Sequence, residues 1–171
     1  MVVVVDASVL IHLSRIGRFH LIKSLYEDIA ICQSVYGEVV ERGWGLPGSL
    51  ETDRAAHEGW IRVLDVVNKW KTREIAKEYG IQIANAETVQ LAREINPDFV
   101  LADEEEIRRL VEEDGLKIRG CLGILIDGVR KKLIPISEAK KGVEELRTSG
   151  YRISNAILKA FHEILEGLEE S

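Results

Sequence analysis

Four consecutive valines, Val2 to Val5, stop abruptly at Asp6. A β-branched run that is apolar on both faces suits a strand in the middle of a parallel sheet, where helices cover both sides. An acid at the carboxyl end of such a strand faces the crevice in which open α/β sheets bind their ligands. Asp6 therefore has two readings. It is a functional acid in that crevice, or, with Ser8, a cap for the helix that starts near Val9.

The rest of the chain alternates strand and helix signals. Val9, Leu10, Leu13 and Ile16 recur at helical spacing before Gly17, and a second helical segment spans Phe19 to Tyr26. Ile29-Ala-Ile31 reads as a short strand, after which Ser34 is placed to cap a helix that contains Glu38 and ends at Gly43. A polar helix from about Leu50 to Glu58 leads to an alternating strand, Trp60 to Val66. A helix over Asn68–Tyr79 follows, then one capped by Asn85 that carries Glu87, Val89, Leu91 and Ile95. Phe99 to Ala102 is the fourth strand and ends at Asp103; Glu104–Asp114 is helical, and Leu116-Lys-Ile118 is a fifth strand. Helices close the chain over Leu122–Lys132, Ser137–Thr148 and Ser154–Leu168. This alternation predicts an α/β fold, a three-layer sandwich with a central parallel sheet, in a single domain over residues 1–171 with C-terminal helices from about 137 to 168.

A chain of 171 residues buries a core without staples. Cys32 and Cys121 have no second Cys or His at ligand spacing, so they read as small core residues. No apolar run approaches a membrane span and no charged leader precedes an apolar stretch, so a cytoplasmic protein without membrane contact is expected. The net charge of −6 argues against a general nucleic-acid-coating role while leaving room for local basic patches.

Gly43-Trp-Gly45-Leu-Pro-Gly48 matches the letters of the dinucleotide fingerprint, but it follows a helix and contains Pro47, where the fingerprint must follow a strand and open a helix. His12, His20, His57 and His162 are scattered and read as helix-face or surface residues. No nucleophile elbow, Walker loop or zinc pattern is present. What remains is acid chemistry. Asp6 and Asp103 end strands, Glu38 lies early in the helix after the second strand, and Glu87 opens the helix before the fourth. Converging carboxylates repel and raise one another's pKa unless a cation neutralises them, and oxygen-only ligands suit Mg²⁺ or Mn²⁺. Such ions activate water and polarise phosphodiesters. The bland alternative is that acids near helix starts merely complement the macrodipole, a reading open to Glu38, Glu87 and the Glu104–Glu106 run.

Val-Val-Asp6-Ala-Ser8-Val-Leu-Ile, Ser34-Val-Tyr-Gly-Glu38-Val-Val-Glu-Arg-Gly and Val100-Leu-Ala-Asp103-Glu resemble the PIN-domain superfamily, metal-dependent nucleases of the kind found in VapC-type toxins. The loop Arg42–Gly48, Gly120-Cys-Leu-Gly-Ile-Leu and Gly150-Tyr-Arg-Ile-Ser154 resemble an uncharacterised prokaryotic branch. The resemblance implies an α/β/α sandwich, a Mg²⁺ or Mn²⁺ site, ribonuclease activity, frequent homodimers and, in toxin members, an antitoxin partner. It implies Asp6, Glu38 and Asp103 as catalytic metal ligands, with Ser8 and Glu104 in support. The third acid of the pattern is replaced: Asn85 stands in its place and Glu87 matches a second glutamate two residues on. Two readings result, a metal-dependent ribonuclease with Glu87 as the remaining ligand, or a catalytically weakened module that binds RNA or protein. An aspartate-nucleophile phosphatase is disfavoured because that chemistry wants a second acid two residues after the first, and position 8 is Ser.

Lys69, Trp70, Lys71 and Arg73 combine charge with an aromatic ring, and Arg130-Lys131-Lys132 forms a second basic cluster; both are candidate RNA contacts. Ile157, Leu158, Phe161, Ile164, Leu165 and Leu168 form an apolar stripe that must bury against the core or a partner.

Overall fold

The computed structural model describes residues 1–171. Its centre is β1 (Val2–Val5), in which Val3, Val4 and Val5 are fully buried. Burying each such side chain contributes about 1.5–3 kcal/mol relative to leaving it in water. On one side β1 pairs with β2 (Asp28–Cys32), which pairs with β3 (Ile61–Leu64); on the other it pairs with β4 (Phe99–Leu101), which pairs with β5 (Ile118–Arg119). All four pairings are parallel, and the order is β3-β2-β1-β4-β5. The chain therefore winds outward from β1 to β3, returns to the centre and winds the other way. The carboxyl ends of β1 and β4 flank the point of reversal, where such sheets open a crevice.

Helices α1 (Ala7–Arg15) and α2 (His20–Leu25) follow β1, and α3 (Gln33–Tyr36) follows β2. Next come α4 (Ser49–Glu58), α5 (Lys69–Tyr79), α6 (Ile83–Ile95) and α7 (Glu105–Glu113). The chain closes with α8 (Cys121–Arg130), α9 (Ile136–Thr148) and α10 (Asn155–Glu169). Helices α3, α5, α6 and α7 pack on one another, as do α1, α2, α8, α9 and α10, and the sheet lies between in an α/β/α sandwich. One apolar cluster runs through it from Val3 to Leu165. Of the α10 stripe, Phe161 and Leu165 join that cluster while Ile157 and Ile164 stay exposed. The core thus takes the inner edge of the stripe, and its outer edge remains open.

Local departures from the sequence expectations have physical causes. The edge strands are shorter than their apolar runs, and short edges limit unwanted pairing. Ser34 does not cap a helix with its own side chain: α3 starts one residue earlier, and the Ser34 N–H and hydroxyl both donate to the Glu87 carboxylate. Asn85 is likewise not a cap but a residue inside the first turn of α6, which begins at Ile83. After Tyr36 the chain widens into a π-helical turn, Gly37–Glu41, closed by the Arg42 N–H on the Gly37 carbonyl at 2.9 Å. No helix is long and apolar enough to cross a membrane.

Candidate functional site

The β1 run delivers Asp6 to the point of reversal, where its backbone N–H donates to the Leu101 carbonyl at 2.9 Å and ties β1 to β4. Its side chain accepts from the Ser8 hydroxyl at 2.8 Å and the Ser8 N–H at 3.3 Å, so Asp6 does cap α1. It also lines a cavity of about 550 Å³, so the cap and the crevice acid are one residue. Asp6 is 1% exposed, and burial pushes its carboxyl up to about 6 against the hydrogen bonds from Ser8 and Ala7, with the charge of Glu104 adding to the rise. Such a carboxylate is ionised at neutral pH at a cost in solvation. A cation beside it removes that cost.

Around Asp6 the cavity wall is mostly polar. It includes Ser8, His12 and Arg15 from α1, Glu38 from the π-helical turn, Gln82 and Asn85 from the start of α6, and Glu104 and Glu106 after β4. The π-helical turn sets where Glu38 sits, as single π turns often do at functional sites. Gly43 lets the chain leave it: a Cβ there would lie 2.5 Å from the Val39 carbonyl oxygen and 2.8 Å from that of Glu38. Asn85 carries no charge, yet its amide donates to Glu106 Oε2 at 3.1 Å and holds a further acid at the rim. The anionic donors on this wall are all oxygens, the set preferred by hard divalent cations.

The structure separates the two expected strand-end acids. Val5 is in register with Leu101, so Asp6 is level with Ala102; side chains alternate along an extended chain, and Asp103 therefore turns away while Glu104 turns back. Glu104 lines the cavity and Asp103 does not. Asp103 Oδ2 lies 2.9 Å from His12 Nδ1, and Oδ1 accepts from the Cys121 N–H at 2.9 Å and the Tyr151 hydroxyl at 2.7 Å. Burial would raise this carboxyl, but the bonds from His12, Cys121 and Tyr151 outweigh it and hold the acid below its ordinary value. Gly120 makes room, since a Cβ there would meet Asp103 Oδ1 at 2.6 Å. Burial pushes the Cys121 thiol well up and keeps it protonated, with the Asp103 carboxylate adding to the rise. His12, Asp103 and Cys121 offer donor atoms within 4.8 Å of one another. With a neutral thiol and a carboxylate already engaged on both oxygens, they form a hydrogen-bonded cluster rather than a ready ligand set.

Glu87 is also outside the cavity. It stands two residues after Asn85, about 200° around the helix, and caps α3 through Ser34 with its N–H bond at 3.2 Å. It lines a separate hollow with Lys69, Arg73 and Ile83, beyond the Gln82–Ile83 turn. The basic helix α5 borders that hollow, with Trp70 63% exposed. Arg130 and Lys131 instead border a hollow with Met1 and Phe99, at the amino ends of the strands and the opposite end of the sheet from the cavity.

Sequence reasoning missed His12, Arg15 and Tyr151. The signal for the first two was present: Ser8, His12 and Arg15 recur at helical spacing behind Asp6, on one face of α1. Tyr151 lies in the turn between α9 and α10 and had no such signal. No curated protein matches the chain. The model of a family described as a PIN domain matches residues 2–167. With the five-stranded parallel sheet and an acidic crevice at its point of reversal, this match shows that the chain belongs to the PIN-domain family, whose members are generally nucleases.

Proposed function

We propose that the chain is a Mg²⁺- or Mn²⁺-dependent ribonuclease whose cation is held by Asp6, Glu38 and Glu104, with Glu106 adding charge from the rim. The observation that carries this reading is Asp6, a buried acid raised by desolvation and facing a polar, acid-lined cavity. When bound, a divalent cation activates water and polarises the phosphodiester for in-line displacement. The chain's own residues do the rest. Ser8 fixes the Asp6 carboxylate, Arg15 supplies a positive charge at the mouth for the phosphate, and Asp103 and Glu87 hold β4 and α3 in place around the acids. Lys69, Trp70 and Arg73, across the Gln82–Ile83 turn, offer phosphate contacts and a stacking ring to a single strand leaving the cavity.

A second reading is a weakened module that binds RNA without cutting it, favoured by the neutral Asn85 on the cavity wall. A panel of single-stranded RNAs incubated with Mn²⁺ separates the two. Cleavage that EDTA stops and that Asp6→Asn abolishes supports the nuclease. Binding without cleavage, indifferent to EDTA, supports the module, and equal cleavage by wild type and Asp6→Asn marks a contaminant.

A further inference from the structure

His12 lines the acidic cavity, and the role inferred for it rests on the ribonuclease reading. One ring nitrogen, Nδ1, faces Asp103 Oδ2 at 2.9 Å. The other, Nε2, makes no hydrogen bond within the protein and lies across the ring from that contact. The Tyr151 ring meets the imidazole edge-on, with centroids 5.0 Å apart and planes at 85°, and the Tyr151 hydroxyl donates to the same Asp103 carboxylate. Asp103 is thus fixed by donors from α1, from the start of α8 and from the α9–α10 turn. An ionised carboxylate on Nδ1 sets the proton on that nitrogen and leaves Nε2 for exchange with whatever occupies the cavity.

We propose that His12 is a catalytic residue that donates a proton from Nε2 to the leaving oxygen of the phosphodiester, and that Asp103 and Tyr151 are its positioning residues. In the step, the water oxygen bonds to phosphorus while the bond from phosphorus to the leaving oxygen breaks. The bonding pair goes to that oxygen, which takes the Nε2 proton. The proton lost by the water passes to solvent through the cavity mouth, and the imidazole is reprotonated from solvent. The cavity that His12 lines also carries Arg15 from the same helix, Asp6 and Glu104 at the strand ends, Glu38 on the π-helical turn and Glu106 on α7, while Cys121 and Tyr151 stand against Asp103 on its other side.

A purely structural His12, tying α1 to the C-terminal turn, makes a different forecast. In His12→Asn the amide can still donate to Asp103 while Nε2 is gone. With Mn²⁺, this variant is expected to cleave RNA at least ~100-fold more slowly than wild type, the usual range for removing a general acid. With bis(p-nitrophenyl) phosphate, whose leaving phenolate needs no proton, it should stay within about threefold of wild type. Tyr151→Phe should show the same split to a smaller extent. Nitrogen-15 NMR of the metal-free protein adds a readout independent of turnover: neutral His12 should carry its proton on Nδ1. Equal losses on both substrates, no loss on RNA, or a proton on Nε2 overturns the proposal. A wild type that cleaves neither substrate overturns the nuclease reading and this inference with it, whereas an active wild type whose variant shows no split overturns only His12.

Discussion

Asp6 and Asp103 follow adjacent buried strands and differ by one residue in register, yet they end in opposite states. Asp6 has Ser8 and the Ala7 backbone as its hydrogen-bonding support and is pushed up by burial. Asp103, also well buried, collects three donors and is held down. On the proposed reading, the contrast separates a cation ligand from an acid that positions the groups around it. Hydrogen bonds on both oxygens make the Asp103 carboxylate stable and occupied, whereas the two Ser8 bonds on Asp6 both end on Oδ2 and leave Oδ1 without a side-chain donor.

The comparison is broken most directly at Asp103. Asp103→Ala leaves the Cys121 N–H, the Tyr151 hydroxyl and the His12 ring without their acceptor, and should cost about 3–5 kcal/mol in urea unfolding. A loss below about 1 kcal/mol would erase the distinction between the two acids. Asp6→Asn should move the other way. Because the folded pKa of Asp6 is about 6 against 3.8 for the free group, the folded protein holds more protons than the unfolded chain between those values, and stability falls as pH rises through that window. Without metal, Asp6→Asn should be more stable than wild type by about 3 kcal/mol above pH 7, with the gap closing below pH 4. Thermal melts of both proteins at the two ends of that range test it, and a gap independent of pH contradicts it.

Smaller effects sharpen the picture. Gly120→Ala, whose Cβ would press on the Asp103 carboxylate, should destabilise by about 1–3 kcal/mol in the same urea titration. Glu87→Gln should cost about 1 kcal/mol, the worth of a helix cap, and leave metal affinity unchanged.

Nearly all of the fold was legible, because the period of apolar residues and the Gly stops carry it locally. The placement of Asp6 and Glu38 at the crevice was legible for the same reason: a buried strand that ends in an acid and an acid early in the next helix are statements about one segment each. Choosing between Asp103 and Glu104 was not, since it depends on the pairing register of β1 with β4, and a shift of one residue exchanges the two faces. The fate of Glu87 was half legible. Its distance from Asn85 around the helix is simple arithmetic, but its partner, Ser34, lies 53 residues away. Tyr151 reaches Asp103 across 48 residues, a contact that only the docking of the C-terminal helices creates.

The proposed cation site is built on Asp6 with Glu38 and Glu104, and not on Glu87. Titration calorimetry of Mn²⁺ into wild type, Glu104→Gln and Glu87→Gln at neutral pH is the sharpest test. Removing the Glu104 charge should weaken binding by about tenfold or more, while Glu87→Gln should bind as wild type does. Wild-type affinity in Glu104→Gln together with lost binding in Glu87→Gln would contradict that assignment.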